Sequence, residues 1–375
     1  MDDYKWICRL ALVLVKGVGP ATSRSLISHL GSEEAIFADG GKALLSVPNL
    51  SPKLRNELTN PSYLERARHE LDFARRNGVQ LLFYTDKEYP YRLAECKDAP
   101  LLIFYKGNCP LNASKLLGVV GTRRMTDAGR INCEQILSDL ATRHSDLVIV
   151  SGLAYGVDVC AHRAALAHGL RTVGVMGTGM SHIYPAEHRQ VATQMKEQGG
   201  LLTEYYSDMQ IDRNNFVARN RIIAGLSDAV LVVESAEKGG ALLTAEFANS
   251  YSRDVFALPG RVTDVYSVGC NNLIRDNKAA LVTSAEDIER QMNWDVAPAE
   301  SSSPELSLLP EMTMPDLSEE ERNVMRLIRK KEKIQINDIA LELNLPIAKL
   351  SGLLFKMEFS NLIHQLPGGL YAVGR

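Results

Sequence analysis

The sequence predicts an α/β protein built on a doubly wound, mostly parallel sheet, with a helical unit before it and a winged helix after it. Apolar runs alternate with helical patterns over residues 79–290, the order that parallel strands joined by crossover helices produce. The runs are apolar throughout, as in strands covered on both faces. Glycine-bearing turns follow several of them, and such turns open on the crevice where sheets of this type bind ligands.

A chain of 375 residues predicts two or three domains. Hydrophobic residues make up 45% and charged residues 23%, which supports a large core and excludes global disorder. The net charge of −3 argues against a charge-driven binder of duplex DNA but allows a local basic groove. Cys8, Cys96, Cys109, Cys133, Cys160 and Cys270 are scattered without a CxxC pair, a pattern that suits buried thiols in a reducing cytoplasm. The start, MDDYKWICRLALVLVKGVG, is acidic and its apolar run is broken by Arg9 and Lys16, so no signal peptide is expected. No apolar run is long enough to span a bilayer. A cytoplasmic protein without membrane insertion is the expectation.

Residues 1–75 predict short helices: YKWICRLALVLV, ATSRSLISHL, SEEAIFA and PSYLERARHELDFARRNG. The turn KGVGPATSRSLISHLG has the form of a helix-hairpin-helix, with Gly17 and Gly19 in the turn and Pro20 opening the next helix. Such elements hold a nucleic-acid backbone without reading sequence; a plain helix–helix turn accounts for the pattern equally well. The echo LLSVPNLSPKLRNEL lacks the glycines and is structural. Eight strands follow within 79–290: VQLLFY, LLIFYK, KLLGVV, LVIVSG, RTVGVMG, GLLTEYY, AVLVVES and DVFALPG. Residues 293–317, rich in Pro, Ser and Glu without periodicity, form a linker. Residues 318–375 give three helices and a hairpin, the plan of a winged helix. Its recognition helix, PIAKLSGLLFKME, carries only Lys349 and Lys356 as basic groups and no Arg, Asn or Gln to read base edges. Protein contact or weak backbone binding is favoured there.

Four turns are candidates for a ligand site. The first, VVGTRRMTDAG, brings Gly121, Thr122 and Arg123 to a strand end, with Thr126 or Asp127 capping the next helix. It is not a G-x-G-x-x-G fingerprint, so no bound NAD is implied. The second, VSGLAYGVDVCAH, offers Ser151 and Gly152; the third, VMGTGMSHIYP, offers Gly177 and Gly179. The fourth, FVARNRIIAGLSDAVLVVESAEKGGALLTAEFA, places Arg219, Asn220 and Arg221 at a helix start after Phe216, and Lys238, Gly239 and Gly240 at the next turn. Guanidinium groups, freed backbone amides and an aromatic suit a phosphate chain carrying bases. The competing account is that the arginines pair with carboxylates and the glycines only make tight turns.

Catalytic and metal constellations are thin, and neither a catalytic residue, a metal nor a cofactor is expected. Ser151 lacks a G-x-S-x-G elbow. Cys160 and His162 sit on a helix that reads as packed, without a ligand cluster, and Asp158 caps that helix or orients its loop. Glu204 and Glu234 follow strands; they could do acid–base work or hold Arg123, Arg219 or Arg221 in place.

Taken together, GTRR at 121–124, SGLAYGVDVCAHRAAL at 151–166, VMGTGMSHIYP at 175–185, FVARNRIIAGLS at 216–227, KGGALLTAEFA at 238–248, FALPG at 256–260 and GCNNLIRDNKAALV at 269–282 resemble the DNA-processing protein A family, also called DprA or Smf. The resemblance implies an extended Rossmann-like core over 79–290, flanked by a helix-hairpin-helix or SAM-like unit and a winged helix. It further implies a homodimer that binds single-stranded DNA, protects incoming strands in natural transformation and helps load a RecA-type recombinase, without catalysis. By motif position the implied pocket is Arg123, Ser151, Gly152, Phe216 to Arg221, and Lys238 to Gly240. Thr122 stands where the family usually has Ser, Tyr155 where it commonly has Arg, and Gly239-Gly240 where Ser-Gly is usual. Tyr155 could stack on a base or serve packing.

Two other functions fit the residues less well. KGGALLTAE is distantly similar to the P-G-G-x-G-T-x-x-E loop of lysine-decarboxylase-like nucleotide phosphoribohydrolases, with Glu246 in the last place; fold similarity is weak evidence of chemistry. A protein adaptor with a vestigial pocket is the third reading.

Overall fold

The computed structural model describes residues 3–294, 318–331, 334–343, 345–359, 362–366 and 370–373. The described residues up to 294 form one compact unit and those from 318 a second. The expected linker lies outside the described residues except at its first two positions.

The first unit is organised by a nine-stranded sheet of β1 (Gln80–Phe83), β2 (Leu102–Gly107), β3 (Leu116–Val120), β4 (Val148–Ser151), β5 (Arg171–Val175), β6 (Gly199–Thr203), β7 (Ala229–Val232), β8 (Asp254–Ala257) and β9 (Ala280–Leu281). Their order is β1-β2-β6-β5-β4-β3-β7-β8-β9. β1 pairs antiparallel with β2, and β2 with β6; every other pairing is parallel. The eight strands expected from the apolar runs are present. β9 was not expected: two residues leave no periodicity in a sequence, and only its pairing with β8 defines it.

Side chains alternate across the strands, so each face receives its own helices. Leu116 and Val120 of β3 pack with Val150, Val175, Ile222 and Ala245 on one face. Leu117 and Val119 pack with Leu137, Ile149, Ala161 and Phe256 on the other. The helix Asp127–Arg143 begins where Thr126 accepts the Gly129 N–H at 3.0 Å, as an N-cap should.

The sheet runs outward from β3 in two directions, through β4, β5 and β6 on one side and through β7, β8 and β9 on the other. That reversal is a topological switch point, and the strand ends beside it splay into a crevice.

The N-terminal helices share a core with the antiparallel edge of the sheet: Trp6, Leu10 and Leu71 pack with Phe83, Leu102 and Phe104, and the Tyr206 hydroxyl donates to the Leu10 carbonyl at 2.6 Å. The turn between the first two helices has Gly17 at φ +82° and Pro20 opening the helix Pro20–Leu30, a geometry that a plain helix–helix turn accounts for as well.

The second unit has helices Glu319–Lys331, Ile336–Leu343 and Ile347–Phe359 and strands β10 (Ile334–Gln335), β11 (Ile363–Leu366) and β12 (Leu370–Val373), ordered β10-β12-β11. Val324, Ile328, Ile339, Leu350, Leu354 and Ile363 make its core. This is the winged helix expected from the pattern. Lys349 pairs with Glu320, and Lys356 with Glu321 at 2.9 Å. Both basic groups of the recognition helix are therefore matched by carboxylates of the first helix of this unit, Glu319–Lys331.

Candidate nucleic-acid interface

A cleft of about 380 Å³ lies at the switch point. β3 delivers Gly121, Thr122, Arg123 and Arg124 to it, the turn after β4 delivers Ala154 and Asp158, and the turn after β7 delivers Lys238, Gly239 and Gly240. Phe216, Arg219 and Asn220 close one side, and Tyr266 another.

Hydrogen bonds between turns fix this geometry. The Thr122 N–H donates to the Glu234 carbonyl at 2.7 Å, and the Val157 N–H to the Thr122 carbonyl at 3.2 Å. The Glu234 carboxylate accepts from the Thr126 N–H at 2.9 Å and from the Thr126 hydroxyl. Glu234 is thus an organiser of the GTRR turn, a scaffold role that leaves no oxygen poised for acid–base work. Gly156, at φ +74°, occupies the left-handed region that glycine adopts without strain. The Asn220 amide donates to the Gly240 carbonyl at 3.2 Å, latching one wall of the cleft to the other. Gly239 precedes the helix Gly240–Ser250, whose first-turn amides lack intrahelical acceptors.

The expected site residues separate into three groups. Gly121, Thr122, Arg123, Phe216, Asn220, Lys238, Gly239 and Gly240 come together in the cleft. Among the described residues, the exposed side chains of Arg123 and Lys238 have no ion pair or hydrogen bond.

Ser151, Gly152, Gly177 and Gly179 do not line the cleft, and Gly179 packs against the Tyr206–Ser207 backbone. Ser151 is buried and donates to the Val119 carbonyl at 2.6 Å. A Cβ on Gly152 would fall inside the Arg219 guanidinium, and one on Gly177 would sit 2.7 Å from the Phe216 ring. These glycines are spaces for the side chains that shape the site.

The third group is the arginines, whose expected free phosphate contacts the structure does not provide. Arg219 lines the cleft but is 3% exposed. Its Nη1 donates to the Val175 carbonyl at 2.8 Å and its Nη2 lies 3.8 Å from Asp158. Burial pushes the Asp158 carboxyl above its ordinary range and the Arg219 guanidinium below its own; desolvation outweighs their attraction at that separation. Arg221 points elsewhere, paired with Glu204 and 4.0 Å from Asp98, and does not line the cleft. The helix expected to start at Arg219–Arg221 is present as Asn220–Leu226, and a short helix that was not expected, Arg213–Ala218, precedes it and meets it at Arg219. Arg219 keeps helical dihedrals at the junction, and two residues along a helix rotate the side chain by about 200°, so Arg219 faces inward and Arg221 away. For these two residues, pairing with carboxylates is the better account.

Sequence reasoning missed Arg124, Thr244 and Tyr266, which line the cleft. Arg124 is exposed without a side-chain partner among the described residues. Its place beside Arg123 on an irregular strand-end turn was a usable signal; Tyr266 arrives through a loop after β8 that carried none.

Asp158, held by Arg219, supplies the one carboxyl group lining the cleft among the described residues, and Glu246 does not line it. His162 is core: its Nδ1 lies 2.7 Å from the Thr172 hydroxyl, and burial pushes its pKa down to about 3. All six cysteines are free and buried. Among the described residues no group of three or more His, Cys, Asp or Glu could hold a metal, and no helix is long and apolar enough to cross a membrane.

The chain is a doubly wound α/β protein with a cationic, aromatic-edged cleft at its switch point, the place where sheets of this type hold ligands. Residues 80–293 match the family described as DNA recombination-mediator protein A, and residues 309–369 match the DprA winged helix domain. The chain belongs to that family, whose members are recombination mediators and not enzymes.

The chain is similar to the DNA processing protein DprA of Streptococcus pneumoniae, 42% identical over 203 residues covering 54% of this chain and 71% of that protein. It is 38% identical to the Smf protein of Synechocystis over 285 residues, 73% of this chain and 69% of the relative. The crystal structure of the Streptococcus pneumoniae protein superposes with a TM-score of 0.60 at 32% identity, covering 77% of this chain and 97% of that one. A Helicobacter pylori DprA structure, solved to describe that protein's single-stranded DNA binding mode, gives a TM-score of 0.52 at 27% identity over 58% of this chain and 96% of that one.

Proposed function

We propose that this protein binds single-stranded DNA across the switch-point cleft, protects incoming strands during transformation, and helps load a RecA-type recombinase on them as a cytoplasmic homodimer. The observation that carries the binding step is the cluster of Arg123, Arg124 and Lys238, exposed and unpaired beside Phe216. Three exposed cations neutralise phosphates, turn amides of Gly239 and Gly240 donate to phosphate oxygens, and an aromatic edge meets a base. Gly152 and Gly177 act in support by leaving room for Arg219 and Phe216, Ser151 by bonding the Val119 carbonyl, and Asn220 by latching the wall, while Gly179 packs on the Tyr206 backbone outside the cleft. Arg221 is assigned to the Glu204 pair. Free buried thiols support a reducing compartment. Recombinase loading and dimerisation rest on the family relationship alone.

Fluorescence anisotropy with single-stranded and duplex oligonucleotides tests the binding step. Wild type should prefer single strands, and Arg123→Ala should bind them at least about fivefold more weakly at low salt. Equal affinity for duplex, or an unchanged Arg123→Ala protein, would move the site away from the cleft.

A further inference from the structure

Two half-exposed tyrosines stand on the rim of the cleft, and the site as derived so far uses neither. Tyr184 is 49% exposed, and its ring rests on Phe216 with centroids 5.2 Å apart and planes 53° apart. Phe216 lines the cleft, so the Tyr184 ring continues the aromatic edge outward. Tyr155 is 42% exposed and follows Ala154, itself a lining residue. Its hydroxyl donates to Glu187 at 3.0 Å, and its ring stands edge-on to the buried His188 at 5.0 Å. The two phenols lie within electrostatic reach of each other.

Neither ring is a loose surface residue. Tyr184 is held on one face by Phe216, and Tyr155 is fixed at its tip by Glu187 and along its flank by His188. A ring ordered before binding loses little conformational freedom when a base stacks on it. Both rings are partly exposed, so they offer apolar faces beside a cleft lined by Arg123, Arg124 and Lys238. A strand whose phosphates sit on Arg123, Arg124 and Lys238 continues past a cleft of this size, and the next surface on this side is aromatic.

We propose that Tyr184 and Tyr155 form a base-stacking platform that extends the cleft, so that nucleotides outside it are held by their bases and not by their phosphates. This rests on the single-strand reading above. It makes the footprint longer than the cationic cluster alone would give.

The test uses the full-length protein and oligothymidylates of about ten to fifteen nucleotides. Abasic residues, which keep the phosphates and remove the bases, are placed at successive positions from either end. In wild type, abasic substitution at the flanking positions should weaken binding about fivefold or more. In Tyr184→Ala and in the Tyr155→Ala, Tyr184→Ala double variant that position dependence should disappear. The variants' salt slope should match wild type, since no phosphate contact is lost. Tyr184→Phe should behave as wild type. A short oligonucleotide confined to the cleft serves as the folding control, because all variants should bind it alike.

Equal abasic penalties in wild type and Tyr184→Ala would overturn the platform while leaving the cleft reading intact. A reduced salt slope in Tyr184→Ala would overturn it too, by showing that phosphate positioning was lost. Absence of single-strand binding in wild type would overturn both readings at once.

Discussion

Replacing Arg123 by alanine gives the sharpest distinction between residues that meet phosphate and residues that only appear to. The structure supplies three exposed, unpaired cations at the cleft: Arg123, Arg124 and Lys238. If each neutralises one phosphate of a single strand, the logarithmic salt slope is about −0.7 per contact, or about −2 in total. Raising salt from about 50 to about 200 mM then weakens wild-type binding roughly 20-fold and Arg123→Ala binding roughly 7-fold. Arg219→Ala and Arg221→Ala should keep the wild-type slope, because one guanidinium is spent on Val175 and Asp158 and the other on Glu204. Anisotropy titrations across the salt series read these slopes directly, with thermal melting to identify the fraction folded. A wild-type slope shallower than about −1 would refute the count, as would an Arg221→Ala slope reduced as much as that of Arg123→Ala.

Three further outcomes follow from packing and charge. Gly152→Ala should destabilise the fold by about 3 kcal/mol, because the new methyl displaces the Arg219 guanidinium and leaves Asp158 buried without it; chemical denaturation should show that penalty shrinking when Arg219→Ala is already present. His162 should contribute an acid-labile term. Its pKa falls from 6.5 to about 3 in the fold, so protons bind the unfolded chain first and stability, complete above about pH 6.5, declines as pH falls toward 3. From pH 7 to pH 5 that costs about 2 kcal/mol, and His162→Asn should flatten this part of a urea-midpoint profile against pH. Finally, Lys349→Ala and Lys356→Ala should each change affinity for single-stranded and duplex DNA by less than about twofold, since both ammonium groups already face Glu320 and Glu321; a larger loss in filter binding would place DNA on the winged helix.

The doubly wound architecture was legible because its cause is local. Strands covered on both faces must be apolar at every position, and β3, β4, β5 and β7 are buried throughout except at the exposed start of β5, Arg171. The turns were legible for a related reason. Gly121, Gly152 and Gly177 mark places where something approaches closely, and only glycine leaves room. What approaches was not legible: at Gly152 it is Arg219 and at Gly177 it is Phe216, each some forty to seventy residues away in sequence.

The arginines show the same limit from the other side. Arg219, Asn220 and Arg221 are consecutive in sequence, and composition alone makes the two guanidiniums equivalent candidates for phosphate. Their fates were decided by what each face of the helical segment meets as it rotates about 100° per residue: Arg219 reaches the Val175 carbonyl in the sheet, Asn220 the Gly240 carbonyl and Arg221 the Glu204 carboxylate. Periodicity, glycine placement and strand order are properties of the chain itself, so the sequence determined the fold class and the place of the crevice. Which cation remains free for a ligand depends on whether a carboxylate or carbonyl reaches it first. That is a matter of distances between distant segments, and only the tertiary structure decided it.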